Sequence, residues 1–218
     1  MKHFLTAAAL LLATTGMAAA EAQISIYGGY QTAPHSEVTI SGTTPQRFNA
    51  GWEGKSFAMP PYYGVRGTWW LERAPKFGLS IDFTHAKVYA DQQTLTGNQL
   101  NTLEFTDGIN TLTLNGLYRF DREFAGIRPY VGAGLGVNIP HVEVDRINVA
   151  APPAFGYQLG GMSAQAQVGL EYNLTKRIAL FTEYKFNYNW VNVDVDGGDT
   201  LQTNIITNAV NFGLSYRF

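Results

Sequence analysis

Three histidines, His35, His85 and His141, are the side chains best suited to proton transfer or metal ligation in this chain. A fourth, His3, lies in an apolar leader and is removed with it. Two of the three share a local pattern, Pro34-His35-Ser36-Glu37-Val38 and Pro140-His141-Val142-Glu143-Val144. In an extended chain, residues two apart lie on one face. H-x-E therefore presents an imidazole and a carboxylate together, a pairing that suits general base chemistry or a transition metal. His85 has Lys87 in the equivalent place. The spacing implies a rim cluster of His35, His85, His141 and Glu143 as catalytic candidates, with His35, His85, His141 and Glu37 as metal ligands. Ordinary polar boundary residues would look the same.

The elements that must position these groups are strands. Along residues 128–144, Val131, Ala133, Leu135, Val137 and Ile139 alternate with Tyr130, Gly132, Gly134, Gly136 and Asn138. One face is aliphatic and the other nearly bare backbone, which a crowded lumen explains. Similar alternation marks residues 23–31, 63–71, 77–84, 111–120, 165–173, 180–190 and 210–218. That makes eight strands, with charged short turns at 72–76, 121–126 and 175–177. Polar connections at 32–59, 90–108, 145–155 and after residue 190 alternate with the turns. The expected fold is all-β: an eight-stranded antiparallel transmembrane up-and-down β-barrel, with four longer external loops and three short periplasmic turns.

Composition narrows the class. The start Met1-Lys2-His3, the apolar run from Phe4 and Ala18-Ala19-Ala20 read as a cleaved secretory signal over residues 1–20, with a second possible cut after Ala22. Residues 23–218 form one domain. There are no cysteines, which excludes disulfides, thiolate metal sites and cysteine nucleophiles. A net charge of -2 offers no footprint for nucleic acid. The expected location is the bacterial outer membrane, with both termini periplasmic and the terminal Phe218 read by the barrel-insertion machinery. A soluble barrel of the lipocalin kind is the alternative, and it would keep its apolar face inside.

The face opposite the aliphatic stripes carries Arg66, Asp82, Arg119, Glu171, Glu183, Lys185 and Arg217. Buried charges need partners, so these are expected to pair and fill the lumen, in preference to lining an ion path. Lys87, Lys55, Arg146 and Arg47 are rim cations. Asp194-x-Asp196-Gly197-Gly198-Asp199 resembles a calcium loop without its closing glutamate. No G-x-S-x-G occurs, and no flavin, nucleotide or haem motif.

Several segments resemble the lipid A oxidase family of outer-membrane proteins. They are YGGYQTAPHS, GWEGKSF, PPYYGVR, IDFTHAKVYAD, EFTDGINTLTLN and PYVGAGLGVNIPHVEV, together with the tail from Glu183. The resemblance spans the mature chain and includes all three histidines. It implies oxidation of the proximal glucosamine of 1-dephosphorylated lipid A to 2-aminogluconate, consuming O2 and releasing H2O2. Lipopolysaccharide and the outer-membrane bilayer are the implied partners. Under this resemblance Lys87, Lys55, Arg146 and Arg47 become candidate donors to the lipid A phosphate. No catalytic residue set comes with the resemblance. Side chains accept protons but not electrons, so a divalent or redox-active metal is the expected cofactor. A structural or adhesive OmpA-type barrel without enzymatic activity is the other function considered; an acyl hydrolase or acyltransferase lacks its serine motif.

Overall fold

The computed structural model describes residues 19–121 and 125–218; the expected signal sequence lies almost wholly outside the described residues. Eight strands pair into a closed antiparallel ring: β1 (Ala19–Thr32), β5 (Tyr63–Leu71), β6 (Ala74–His85), β9 (Ile109–Arg119), β10 (Ile127–Arg146), β12 (Gly161–Asn173), β13 (Ile178–Asp194) and β14 (Thr200–Arg217). Each pairs with the next in chain order, and β14 returns to β1 from Gln23↔Arg217 to Thr32↔Asn208. Among the described residues no helix is long and apolar enough to cross a membrane, which leaves strands unaddressed.

The ring is inside out relative to a water-soluble barrel. Ile26, Leu114, Leu135, Phe212 and their row-mates face outward and stay exposed, while Asp82, Ser80, Asn115, Lys185 and Asn211 are enclosed. Such an apolar belt is stable against lipid and unfavourable in water by roughly 25 cal/mol per Å². Aromatics gather at its two edges. Phe77, Tyr118, Tyr172 and Tyr216 lie at the end carrying the termini, and Tyr63 and Trp190 at the other. Lining this lumen costs β10 its side chains. A Cβ at Gly134 or Gly136 would sit 2.2 or 2.0 Å from the carbonyl oxygens of Leu114 and Leu112 on β9.

Inside, four charges cancel. Arg66 forks onto Glu183 at 2.9 and 2.6 Å and also donates to Asp82 at 2.9 Å, while Lys185 donates to Asp82 at 2.7 Å. The hydroxyl of Tyr130 donates to Glu183 and that of Tyr27 to Asp82. Nearer the termini, Glu21 meets Arg119 and Arg217, and Arg217 also pairs with Glu171. Of the two cuts expected for the leader, the one after Ala20 keeps Glu21 in the lumen.

The expected long loops are largely strands, and this is the main correction to the sequence reading. β10, β13 and β14 run for 20, 17 and 18 residues, against the roughly 9–11 a tilted strand needs to cross a bilayer. Their protruding edges recruit the connections. β2 (Ser36–Ser41) pairs with β14, and β3 (Gln46–Ala50) pairs with β2. β4 (Trp52–Gly54), β7 (Val88–Ala90) and β8 (Leu100–Phe105) extend a sheet from β10, and β11 (Ala154–Tyr157) also pairs with β10. A six-residue helix, α1 (Gln92–Gly97), is capped by the Asp91 carboxylate. In this cap the polarity is reversed. Val142, Val144, Val191, Val193 and Leu201 continue the inward rows of the same strands and meet Val38, Ile40, Leu103 and Phe105 in an apolar core. Each such burial contributes roughly 1.5–3 kcal/mol.

Arg146 ties the cap together. It is enclosed, and donates from Nε to Asp196 at 2.6 Å, from Nη1 to the Thr44 carbonyl at 2.9 Å and from Nη2 to Asp199 at 3.0 Å. This corrects one sequence reading, since Arg146 does not face outward to a phosphate; its guanidinium instead occupies the calcium-like loop.

Two predictions follow from these ion pairs. Arg66→Met takes from Glu183 its guanidinium, leaves the enclosed cluster one positive charge short and should cost about 3–5 kcal/mol of unfolding free energy. Arg66→Met with Glu183→Met, which restores neutrality, should recover much of it in urea titrations of the folded barrel. The amides of Thr43 and Thr44, with Arg146, hold the Asp199 carboxyl below its ordinary pKa. Its stabilising contribution is therefore complete above the ordinary aspartate value and is lost only as pH falls below it. Asp199→Asn should make the cap protease-sensitive at neutral pH, and the difference from the parent should shrink in acid.

Candidate functional site

The three histidines do not meet. His85 ends β6 and His141 lies on β10, with β9 between them. His35 precedes β2 and lines a groove on β13 and β14. Going round the ring, β1 separates that groove from β5 on one side and β12 separates it from β10 on the other, so it faces the opposite way. Glu37 is held by Arg47 through two bonds of 2.8 and 2.9 Å, both side chains being exposed. Among the described residues, no three His, Asp or Glu side chains are placed to hold a metal ion. The donor set expected from spacing is thus divided between two sides of the barrel, and these residues do not fit the metal.

What the fold does assemble is a cleft of about 500 Å³ on the outer wall, lined by Pro60, Tyr63, Phe83, His85, Asp107, Asn110, Ile139 and Tyr157. It lies where the apolar belt ends: Phe83 and Ile139 are the last apolar outward residues of β6 and β10 before their histidines. Tyr63 stacks on His85, its cross-strand partner, with ring centroids 5.2 Å apart. Asn110 Nδ2 donates to the Asp107 carbonyl at 2.9 Å, which turns Oδ1 of the same amide toward His85 Nδ1 at 2.8 Å. Nδ1 must then carry the proton, and Nε2 is left as the basic nitrogen. Nε2 is enclosed and has no hydrogen-bond partner. Such a fixed tautomer with a free lone pair is what a general base requires.

Next to the cleft, Thr106 bridges His141 Nδ1 at 3.2 Å and Glu143 at 3.0 Å, while Phe155 and Tyr157 pack edge-on against the His141 ring. Glu143 stands directly across from Glu104, Glu104 from Tyr89, and Tyr89 from Glu53. Like charges opposed on a sheet are destabilising. Partial burial first, and Glu143 second, raise the Glu104 carboxyl above its ordinary range. Lys55 pairs with Glu53 on this row and keeps part of its surface open. Lys87 turns inward instead and donates to the Met59 carbonyl at 2.6 Å.

Asp107, Asn110, Thr106, Glu104 and the two tyrosines escaped the sequence reading. The signal was present. Asp107-Gly108 is a turn dipeptide lying between two alternating runs, and it puts its neighbours beside the ends of β6 and β10.

The chain matches the family described as outer membrane protein beta-barrel domain over residues 4–218. It belongs to that family. As an outer-membrane barrel it has solved relatives in fold. Neisserial surface protein A is 14% identical with a TM-score of 0.50, covering 91% of this chain and 96% of that one. OprG from Pseudomonas aeruginosa is 14% identical with a TM-score of 0.56, covering 92% and 96%. At that identity the likeness is one of fold. No curated protein matches the chain.

The Glu104 carboxyl supplies a prediction for this face. Because its folded pKa is raised, its ionisation weakens the folded cap, and the penalty grows as pH rises through that pKa. Glu104→Gln should stabilise this outer-membrane barrel at neutral pH. The gain should disappear below the ordinary glutamate value, as read by urea midpoints across pH.

Proposed function

We propose that this outer-membrane barrel is a lipid A oxidase, with its cap outside the cell, both termini in the periplasm and Phe218 exposed for the insertion machinery. One observation carries the reading. His85, whose Nε2 is enclosed and unpartnered, lines a cleft that opens sideways at the edge of the apolar belt, the height at which the glucosamines of outer-leaflet lipid A lie. A lipid substrate reaches such a cleft without leaving the membrane.

In this scheme substrate entry uncovers His85 Nε2, and the anomeric hydroxyl of the 1-dephosphorylated proximal glucosamine gives its proton to it. In the net reaction the C1–H and O–H lose two electrons and two protons and O2 becomes H2O2, the proton held by His85 passing on to the peroxide; the cleft side chains handle protons and carry no electrons. Water then opens the lactone to the 2-aminogluconate acid, so the sugar gains one oxygen atom. Tyr63 and Tyr157 offer ring faces to the sugar, and Asp107 an acceptor for its hydroxyls. Lys55, paired with Glu53 but partly open, is the cation left for a phosphate role, Lys87 and Arg146 being enclosed. The described residues do not form the expected metal set, so the protein's own part is to bind, orient and remove the proton.

A second reading, a structural or adhesive OmpA-type barrel, is favoured by that divided donor set together with a cap core that is already filled.

Mass spectrometry of lipid A decides between them, in an aerobic host that makes 1-dephosphorylated lipid A and lacks the activity. Oxidase activity adds one oxygen to the proximal sugar, lost without air. His85→Gln should reduce the product roughly a hundredfold, the scale of general base catalysis, while the barrel still shows heat-modifiable migration. Unmodified lipid A beside a folded parent barrel would leave the structural reading.

A further inference from the structure

The groove that holds His35, about 630 Å³, is larger than the cleft and lies on the side away from it. Its floor is set by register. On β13 and β14, Tyr188 stands opposite Ile206, Trp190 opposite Asn204 and Asn192 opposite Gln202. Gln202 in turn faces Thr39 on β2. The floor thus grades from apolar at the belt, through an exposed indole, to a sheet of amides and a hydroxyl. His35 and Glu37 line the same groove, and the Tyr188 and Trp190 rings lie 4.7 Å apart.

We propose that this groove binds the saccharide of an outer-leaflet glycolipid. An indole beside planar amides is the chemistry that holds a pyranose, the ring against the C–H face of the sugar and the amides on its hydroxyls. The level selects the occupant. Tyr188 and Ile206 at the lower end continue the lipid-facing rows, while Val191, next along β13, already turns into the cap core. A sugar in the groove therefore sits directly above acyl chains, as the first sugars of a membrane glycolipid do. The inference rests on the membrane placement of the barrel and not on the oxidase reading.

Three probes test it, using the full barrel in nanodiscs and native mass spectrometry: rough lipopolysaccharide, its delipidated core oligosaccharide, and phosphatidylglycerol. Lipopolysaccharide should bind, and the oligosaccharide should compete. Trp190→Ala should weaken binding at least tenfold, Trp190→Tyr less than threefold, and Asn204→Ala with Gln202→Ala at least tenfold. Equal binding of phosphatidylglycerol would overturn the proposal, because the groove would then hold any lipid. So would full affinity in both the Trp190→Ala and the amide variants, each surface-facing and checked for folding by heat-modifiable migration. Lipid A oxidation by Trp190→Ala should match the parent, so loss of groove binding and failure of the oxidase reading give different results.

Discussion

Each strand of a closed ring has only two side-chain rows, and the rows cannot exchange sides without a break in pairing. Everything else in this protein accommodates that constraint. β10, β13 and β14 keep one phase from end to end, yet their surroundings change from lipid outside and a polar lumen to water outside and an apolar cap. The sequence changes chemistry in place. Inward residues pass from Glu183, Lys185, Asn187 and Asn189 to Val191 and Val193, and outward ones from Tyr184 to Asn192 and Asp194. The crossover level is where the His85 cleft and the His35 groove are found. There an apolar wall and polar side chains lie within one residue of each other along a strand.

The lumen solves a different problem. Arg66, Asp82, Glu183 and Lys185 are almost wholly enclosed, and isolated charges there would be costly. Two cations and two carboxylates, with tyrosine hydroxyls and amides taking the remaining positions, make a rigid neutral plug. Such a plug supports the wall behind His85 rather than taking part in its chemistry. The imidazole is fixed instead by an amide that is itself fixed by backbone, a chain of orientation running from Asp107 through Asn110.

Much of this was legible in the sequence. Alternation in the eight ring strands follows directly from a two-sided wall, and the terminal Phe218 and small residues of β10 fit the same wall. The cap strands were harder to read. Ser36–Ser41 alternates, and Leu100–Phe105 does so only from Leu103 onward; both are short and embedded among Gly, Pro and Thr, so composition outweighed period. Their partners are the overhanging ends of distant strands, which local pattern cannot reveal. The histidines show the limit of spacing arguments. H-x-E recurs at residues 35–37 and 141–143, yet one copy joins Thr106 beside a cleft and the other meets Arg47 in water on the far side. Chain order gives each residue's height on the wall, and only strand pairing gives its bearing around it.

The Arg146 contacts also bear on how the molecule is built. Its partners lie 102, 50 and 53 residues away along the chain, in the β2–β3 turn and the segment joining β13 to β14. Those two segments become neighbours only when the first and last strands of the ring pair with each other. Closing such long loops is entropically costly until the ring has already brought their ends together. Ring closure is therefore what brings the partners of Arg146 within reach of one another. Native contacts at Arg146 mark a circle that has finished closing, a property that an open sheet of the same eight strands would lack.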